Sequence, residues 1–137
     1  IGLTPQTATQ LGGYRVQGNT PDAASKLVKE AVGLEKAGVF GVLVECVPAE
    51  VTNLITRSLQ VPTIGIGAGG DCDGQVLVAN DILGLFDKFT PKFVKQYANL
   101  SQIIETAVQQ YCQDVRSGVF PDDSQSFSAS FDVDKTF

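Results

Sequence analysis

Glu45 closes a short apolar run, Phe40-Gly41-Val42-Leu43-Val44-Glu45-Cys46-Val47-Pro48, where a parallel strand should end and a helix begin. A strand covered on both faces reads as a continuous Val/Ile/Leu run, so an acid at its last turn meets an unusual environment. The C-terminal ends of such strands are where α/β folds put their chemistry. Strand alternation sets Leu43 and Glu45 on one face and Val42, Val44 and Cys46 on the other. The acid is then either a functional group or half of an ion pair with a lysine at a barrel rim.

Gly65-Ile66-Gly67-Ala68-Gly69-Gly70 follows the next apolar run. G-x-G-x-x-G after a strand is the dinucleotide fingerprint, and Asp87 lies at about the spacing of a ribose-binding acid. A nucleotide-binding βα module using Gly65, Gly67 and Gly70 is therefore the alternative reading. Against it, only about ten residues separate Gly70 from the next apolar stretch, too little helix for a crossover. The competing explanation is that small residues let a ligand or backbone come close after a late barrel strand. Asp71 and Asp73 miss the spacing of a calcium loop, and Asp73-Gly74 is ordinary turn chemistry. Gly12-Gly13-Tyr14-Arg15 reads either as a flap over a cavity, with Tyr14 and Arg15 as contacts, or as a surface loop.

Composition narrows the classes. The chain is 43% hydrophobic and 18% charged, as in soluble globular proteins, and holds no apolar run long enough to span a bilayer. A formal charge of −5 and a pI near 4.5 leave no basic footprint for nucleic acid. The interleaved bases and aromatics of Phe86 to Tyr97 read instead as a helix capped by Thr90 and opened by Pro91, with Phe93, Val94 and Tyr97 inward and Lys92 and Lys95 solvated. Three cysteines without a CxxC pair, and no histidine, argue for a reduced, cytoplasmic setting and against a zinc site or a His-based triad. Cys46 and Cys112 read as small buried hydrophobes. A start at Ile1 with no methionine looks cut from something longer.

The elements follow from punctuation and period. Ile1 to Thr4 reads as the end of a strand, followed by a loop to Asn19. Thr20-Pro21-Asp22 starts a helix that ends before Gly38, and Phe40 to Val47 is a strand. Pro48 to Leu59 reads as a helix with Val51, Leu54, Ile55 and Leu59 inward, Val61 to Ile66 as a strand, and Gln75 to Ala79 as a short helix before an apolar stretch from Ile82 to Phe86. A long helix from Leu100 to Ser117 carries Ile103, Ile104, Ala107, Val108, Tyr111 and Val115 between Asn99 and Gly118. Residues 1–117 form part of one βα domain, and 118–137, with Phe120, Phe127, Phe131 and Phe137, form an extended tail.

Alternating strands and helices with short connections mean a parallel sheet. An eight-stranded βα barrel needs roughly 250 residues, and half of one leaves raw edges and an open apolar interior. A partner half is a physical expectation.

The motifs Ile1-Gly2-Leu3-Thr4-Pro5-Gln6, Gly12-Gly13-Tyr14-Arg15-Val16-Gln17-Gly18, Leu43-Val44-Glu45-Cys46-Val47-Pro48, Ile64-Gly65-Ile66-Gly67-Ala68-Gly69 and Asp73-Gly74-Gln75-Val76-Leu77-Val78 together resemble the ketopantoate hydroxymethyltransferase family. The likeness covers residues 1 to 127 and only the C-terminal half of the family's chain. It implies the C-terminal half of a (β/α)8 TIM-type barrel, which transfers a hydroxymethyl group from 5,10-methylenetetrahydrofolate to 3-methyl-2-oxobutanoate to form ketopantoate for pantothenate biosynthesis. It also implies Glu45 as general base, and a 2-oxo acid chelated on Mg²⁺ that acts as a Lewis acid. The magnesium ligands, the basic residue that holds the substrate and a histidine that normally precedes the first motif belong to the N-terminal half. The isolated fragment is therefore expected to be inactive, its partners being that half, the 2-oxo acid and folate, and further copies in a homo-oligomer.

Overall fold

The computed structural model describes residues 1–7, 9–10, 12–86, 88–131 and 135. Thr20 is extended, its side chain accepts from the Ala23 amide at 3.3 Å, and Pro21 opens helix α1 (Pro21–Lys36). Asp22 in the first turn and Lys36 in the last suit the helix dipole, and Gly38 turns the chain at φ +92°. Leu27 and Ala31, one turn apart, are its buried residues.

Strand β1 (Val42–Glu45) is shorter than the expected Phe40 to Val47. Phe40 is 95% exposed, and Cys46 adopts φ +50°, a left-handed value that ends extended pairing directly after Glu45. Helix α2 (Ala49–Arg57) begins after Pro48 and stops before Leu59. It buries Thr52 and Ile55, whereas Leu54, expected inward, is 46% exposed. Strand β2 (Thr63–Ile66) starts only after Pro62, which has no amide to donate but whose carbonyl accepts from Val42 at 2.9 Å.

The sheet is parallel in the order β1-β2-β3, with Val42 opposite Thr63, Glu45 opposite Ile66, and Ile64 opposite Gly74 of β3 (Gly74–Gln75). Gly74 and Gln75 thus extend the sheet where Gln75 was expected to start a helix, and the short helix α3 (Ala79–Ile82) comes later. On the other edge of β1 the expected first strand is reduced to one parallel bridge between Gly2 and Glu45. That bridge is held by Leu3 N–H to Glu45 O at 2.8 Å and Glu45 N–H to Ile1 O at 3.0 Å.

The helix expected from Thr90 does not form. Val94 donates to Pro91 in a single turn, and Tyr97 donates to Ile82 at 2.8 Å, so a distant carbonyl takes the amide a helix would have used. Phe93 is 38% exposed and Tyr97 70% exposed, the latter lying under the Lys95 ammonium at 4.9 Å. Helix α4 (Leu100–Ser117) has the expected bounds and ends on Gly118 at φ +72°, although Asn99 makes no side-chain cap bond. Its apolar stripe is not buried: Ile103, Ile104, Val108 and Tyr111 are each at least half exposed. The tail is not simply extended. Phe120 packs edge-on against Tyr111 at 5.5 Å, and Asp122 caps a short 3-10 turn (Asp123–Gln125). Phe127 is fully exposed, Phe131 is exposed, and Phe137 lies outside the described residues.

The core sits on one side of the sheet. Leu27 and Ala31 of α1 and Ile55 of α2 pack with Val42, Val44, Val47, Leu59 and Ala68. The opposite face stays open, with Leu43 46% and Ile64 41% exposed. The β2–β3 connection is pinned to the start of β2 by Asp73, whose carboxylate accepts from the Thr63 amide at 2.7 Å and the Thr63 hydroxyl at 3.0 Å. These bonds hold the Asp73 carboxyl below the usual range. A lowered native value adds stability above the unfolded-state pKa and loses it as pH falls through the native one. Asp73→Asn should therefore lower the urea midpoint at neutral pH, with the gap closing at acid pH. A pH-independent gap would contradict this.

Candidate active site

Glu45 stands at the C-terminal end of β1 on the open face, with its backbone committed on both sides: its amide to Ile1 and its carbonyl to Leu3. Its carboxylate has no hydrogen-bond or ion-pair partner among the described residues, so it is not half of a lysine pair at a rim. Burial pushes its pKa above the ordinary glutamate value, and the Ile1 ammonium pulls it partly back. A carboxylate desolvated in this way is a stronger base than a surface acid.

The neighbouring Cys46 is half-buried rather than buried, and desolvation and then the charge of Glu45 push its thiol pKa up. It is held as a thiol, a poor nucleophile. Cys72 and Cys112 are likewise half-buried.

Glu45 opens into a cleft of about 310 Å³ whose walls include Leu3, Tyr14, Arg15, Phe89, Lys92 and Phe93. The Gly12–Gly18 loop thus does meet the site through Tyr14 and Arg15. Lys92 and Phe93, assigned by sequence to opposite faces of a helix, both reach the same cleft. The signal for them was the alternation of bases with aromatics, which periodicity alone misassigned. A second cleft of about 580 Å³ over Pro48, Ala49 and Gly67 to Gly69 adjoins the first, sharing Val16, Cys46, Lys92 and Phe93.

The glycine run is accounted for by close packing. A Cβ on Gly67 would come within 2.7 Å of the Phe93 ring, and one on Gly69 within 2.5 Å of Ala49, both at positive φ. No helix opens after Gly70, because the chain runs through Cys72 and Asp73 directly into β3. The dinucleotide fingerprint needs that helix for the pyrophosphate, and Asp87, its proposed ribose partner, lies outside the described residues. Among the described residues no group of three His, Cys, Asp or Glu side chains could hold a metal ion. The described residues therefore assemble no carboxylate cluster that would hold a magnesium ion by itself. No helix among them is long and apolar enough to cross a membrane.

A parallel sheet with helices on one face, and an unpaired acid opening into a cleft at the strand ends, defines an α/β protein of the βα type. The ketopantoate hydroxymethyltransferase family model matches residues 1–123, and the chain belongs to that family. Among curated relatives, the 3-methyl-2-oxobutanoate hydroxymethyltransferase of Desulfotalea psychrophila is 55% identical over 132 residues, 96% of this chain and 47% of its own. That of Moorella thermoacetica is 58% identical over 127 residues, 93% of this chain and 47% of its own. The Enterococcus faecalis protein of the same name is 50% identical over 133 residues, 97% of this chain, so the likeness runs past Phe127 into the tail. The chain spans about half the length of the curated relatives it matches.

The raised pKa of Glu45 carries a consequence for stability opposite to that of Asp73. Its charged form is disfavoured on folding, so stability is greatest below the unfolded-state pKa and falls as pH rises through the native value. Glu45→Gln should unfold at higher urea than the parent at neutral pH, the difference vanishing on acidification. A less stable Glu45→Gln chain at neutral pH would mean that the carboxylate is held by a favourable partner.

Proposed function

We propose that this chain supplies the general base of a hydroxymethyltransferase that converts 3-methyl-2-oxobutanoate to ketopantoate, with 5,10-methylenetetrahydrofolate as one-carbon donor, in pantothenate biosynthesis. The observation that carries the reading is the unpaired Glu45 carboxylate, held above its ordinary pKa at a strand end inside a cleft. Family membership and the shared name of the relatives supply the reaction.

In this reading Glu45 takes the proton from the carbon beside the keto group. The resulting carbon nucleophile attacks the methylene carbon of the donor, forming the new C–C bond while both donor C–N bonds break in turn and water provides the hydroxyl. The proton held by Glu45 and the remaining proton of that water end on the two nitrogens of the departing tetrahydrofolate. Leu43 and Ile64, exposed beside Glu45 on the same sheet face, give the branched apolar end of the substrate a surface to lie on.

The open face and the unpaired edges of the sheet are completed, in this proposal, by an N-terminal half that closes the βα barrel. That half brings the magnesium ligands, which the described residues of this chain do not offer. The working protein is a cytoplasmic homo-oligomer, and this polypeptide alone turns over no substrate.

The test is Glu45→Gln in the completed enzyme. The expected loss in kcat is at least ~100-fold, because a neutral amide cannot accept the proton. Retention of the parent rate overturns the assignment of the base. Turnover by this polypeptide unaided overturns the need for its partner half.

A further inference from the structure

Arg15 and Lys92 border the Glu45 cleft without a counter-ion among the described residues. Both are exposed, and neither side chain has a hydrogen-bond or ion-pair partner among the described residues, where the ion pair formed is Lys26 with Glu30 on α1. In a chain of formal charge −5, unpaired bases converging on one cleft run against the overall field. They arrive from segments far apart in sequence, one before α1 and the other before α4.

Among the described residues neither cation forms an ion pair with Glu45, although all three border the same cleft. In the 2-oxo acid, only the keto carbon separates the carboxylate from the carbon that loses the proton. With that carbon against Glu45, the small acid is held at the Glu45 end of the cleft, whereas a longer anion would extend along the groove past Lys92.

The cleft accommodates such a molecule. Lys92 stands at the junction of the cleft of about 310 Å³ and its neighbour of about 580 Å³, so a ligand reaching Glu45 can continue past it. Tyr14 and Phe93 add aromatic faces on the same walls, and Tyr14 is 79% exposed and thus free to cover a planar ring.

Resting on the reaction set out above, we propose that Arg15 and Lys92, together with the rings of Tyr14 and Phe93, bind the one-carbon donor, a planar-ring carrier ending in carboxylates. The 2-oxo acid is left to other groups. Arg15 supplies a fork that matches a carboxylate, and Lys92 supplies a point charge farther along the groove.

The experiment is steady-state kinetics of the completed enzyme carrying Arg15→Gln or Lys92→Gln. Each should raise the KM for 5,10-methylenetetrahydrofolate ~10-fold while the KM for 3-methyl-2-oxobutanoate stays within about twofold. The rise should be larger for donors bearing additional glutamates, and Arg15→Lys should recover part of the loss. An unchanged donor KM, or a rise confined to the 2-oxo acid, overturns the proposal. The unmodified enzyme provides a second measure: its donor KM should climb with ionic strength, and a flat dependence also overturns it. The underlying reaction is checked separately by solvent exchange of the substrate proton in the unmodified enzyme without donor. Absence of exchange removes the reaction itself, whereas exchange with an unchanged donor KM in the variants removes only the donor site.

Discussion

Everything at the strand ends depends on the sheet being covered on one face only. Helices α1 and α2 bury Val42, Val44 and Thr63, and the two-residue period of the strand then leaves Leu43 and Glu45 on the uncovered side. Parallel pairing of Val42 with Thr63 and Glu45 with Ile66 fixes this parity. A slip of one residue would drive Glu45 under the helices, where an unpaired charge is far more costly than at the cleft. The buried Val42 and Val44 thus protect the position of the acid more effectively than any direct contact to it.

The two perturbed carboxylates of the central sheet show how differently one fold treats the same group. One carboxylate oxygen of Asp73 accepts from the Thr63 amide and hydroxyl, the Asp73 amide donates to that hydroxyl, and the pKa of Asp73 falls. Glu45 receives no hydrogen bond from a side chain among the described residues, and its pKa rises through burial. Asp73 is therefore a fastening that holds β3 against β2 and stabilises the fold at neutral pH. Glu45 is held against its own solvation, a local disadvantage tolerated where chemistry is placed.

Local signals carried much of this. Thr20-Pro21 and Gly118 mark helix ends through caps whose chemistry is contained in a few adjacent residues, and α1 and α4 have the expected bounds. The alternation around Glu45 was equally readable, because period two needs no knowledge of partners. What failed needed distant atoms. Thr90-Pro91 has the grammar of a helix start, yet the Tyr97 amide is claimed by Ile82, and the segment becomes a cleft wall. Gly74-Gln75 looked like a helix approach and became an edge strand, because Asp73 locks onto Thr63 ten positions earlier. Lys92 and Phe93 were assigned to opposite faces for the same reason: their shared destination is set by the course of the loop and not by their spacing.

The glycines join these threads. Gly67 lets the Phe93 ring lie against the end of β2, and Gly69 lets the same loop lie against Ala49 at the start of α2. A side chain at Gly67 would push Phe93, and with it Lys92, off the cleft, while one at Gly69 would pry the loop from α2. With no helix opening after Gly70, these small residues form no strand-to-helix turn of the dinucleotide kind. Their service is to bring a ring and a lysine, far off in sequence, to within reach of the acid that ends β1. The site is in that sense assembled by absences of side chain as much as by the side chains that line it.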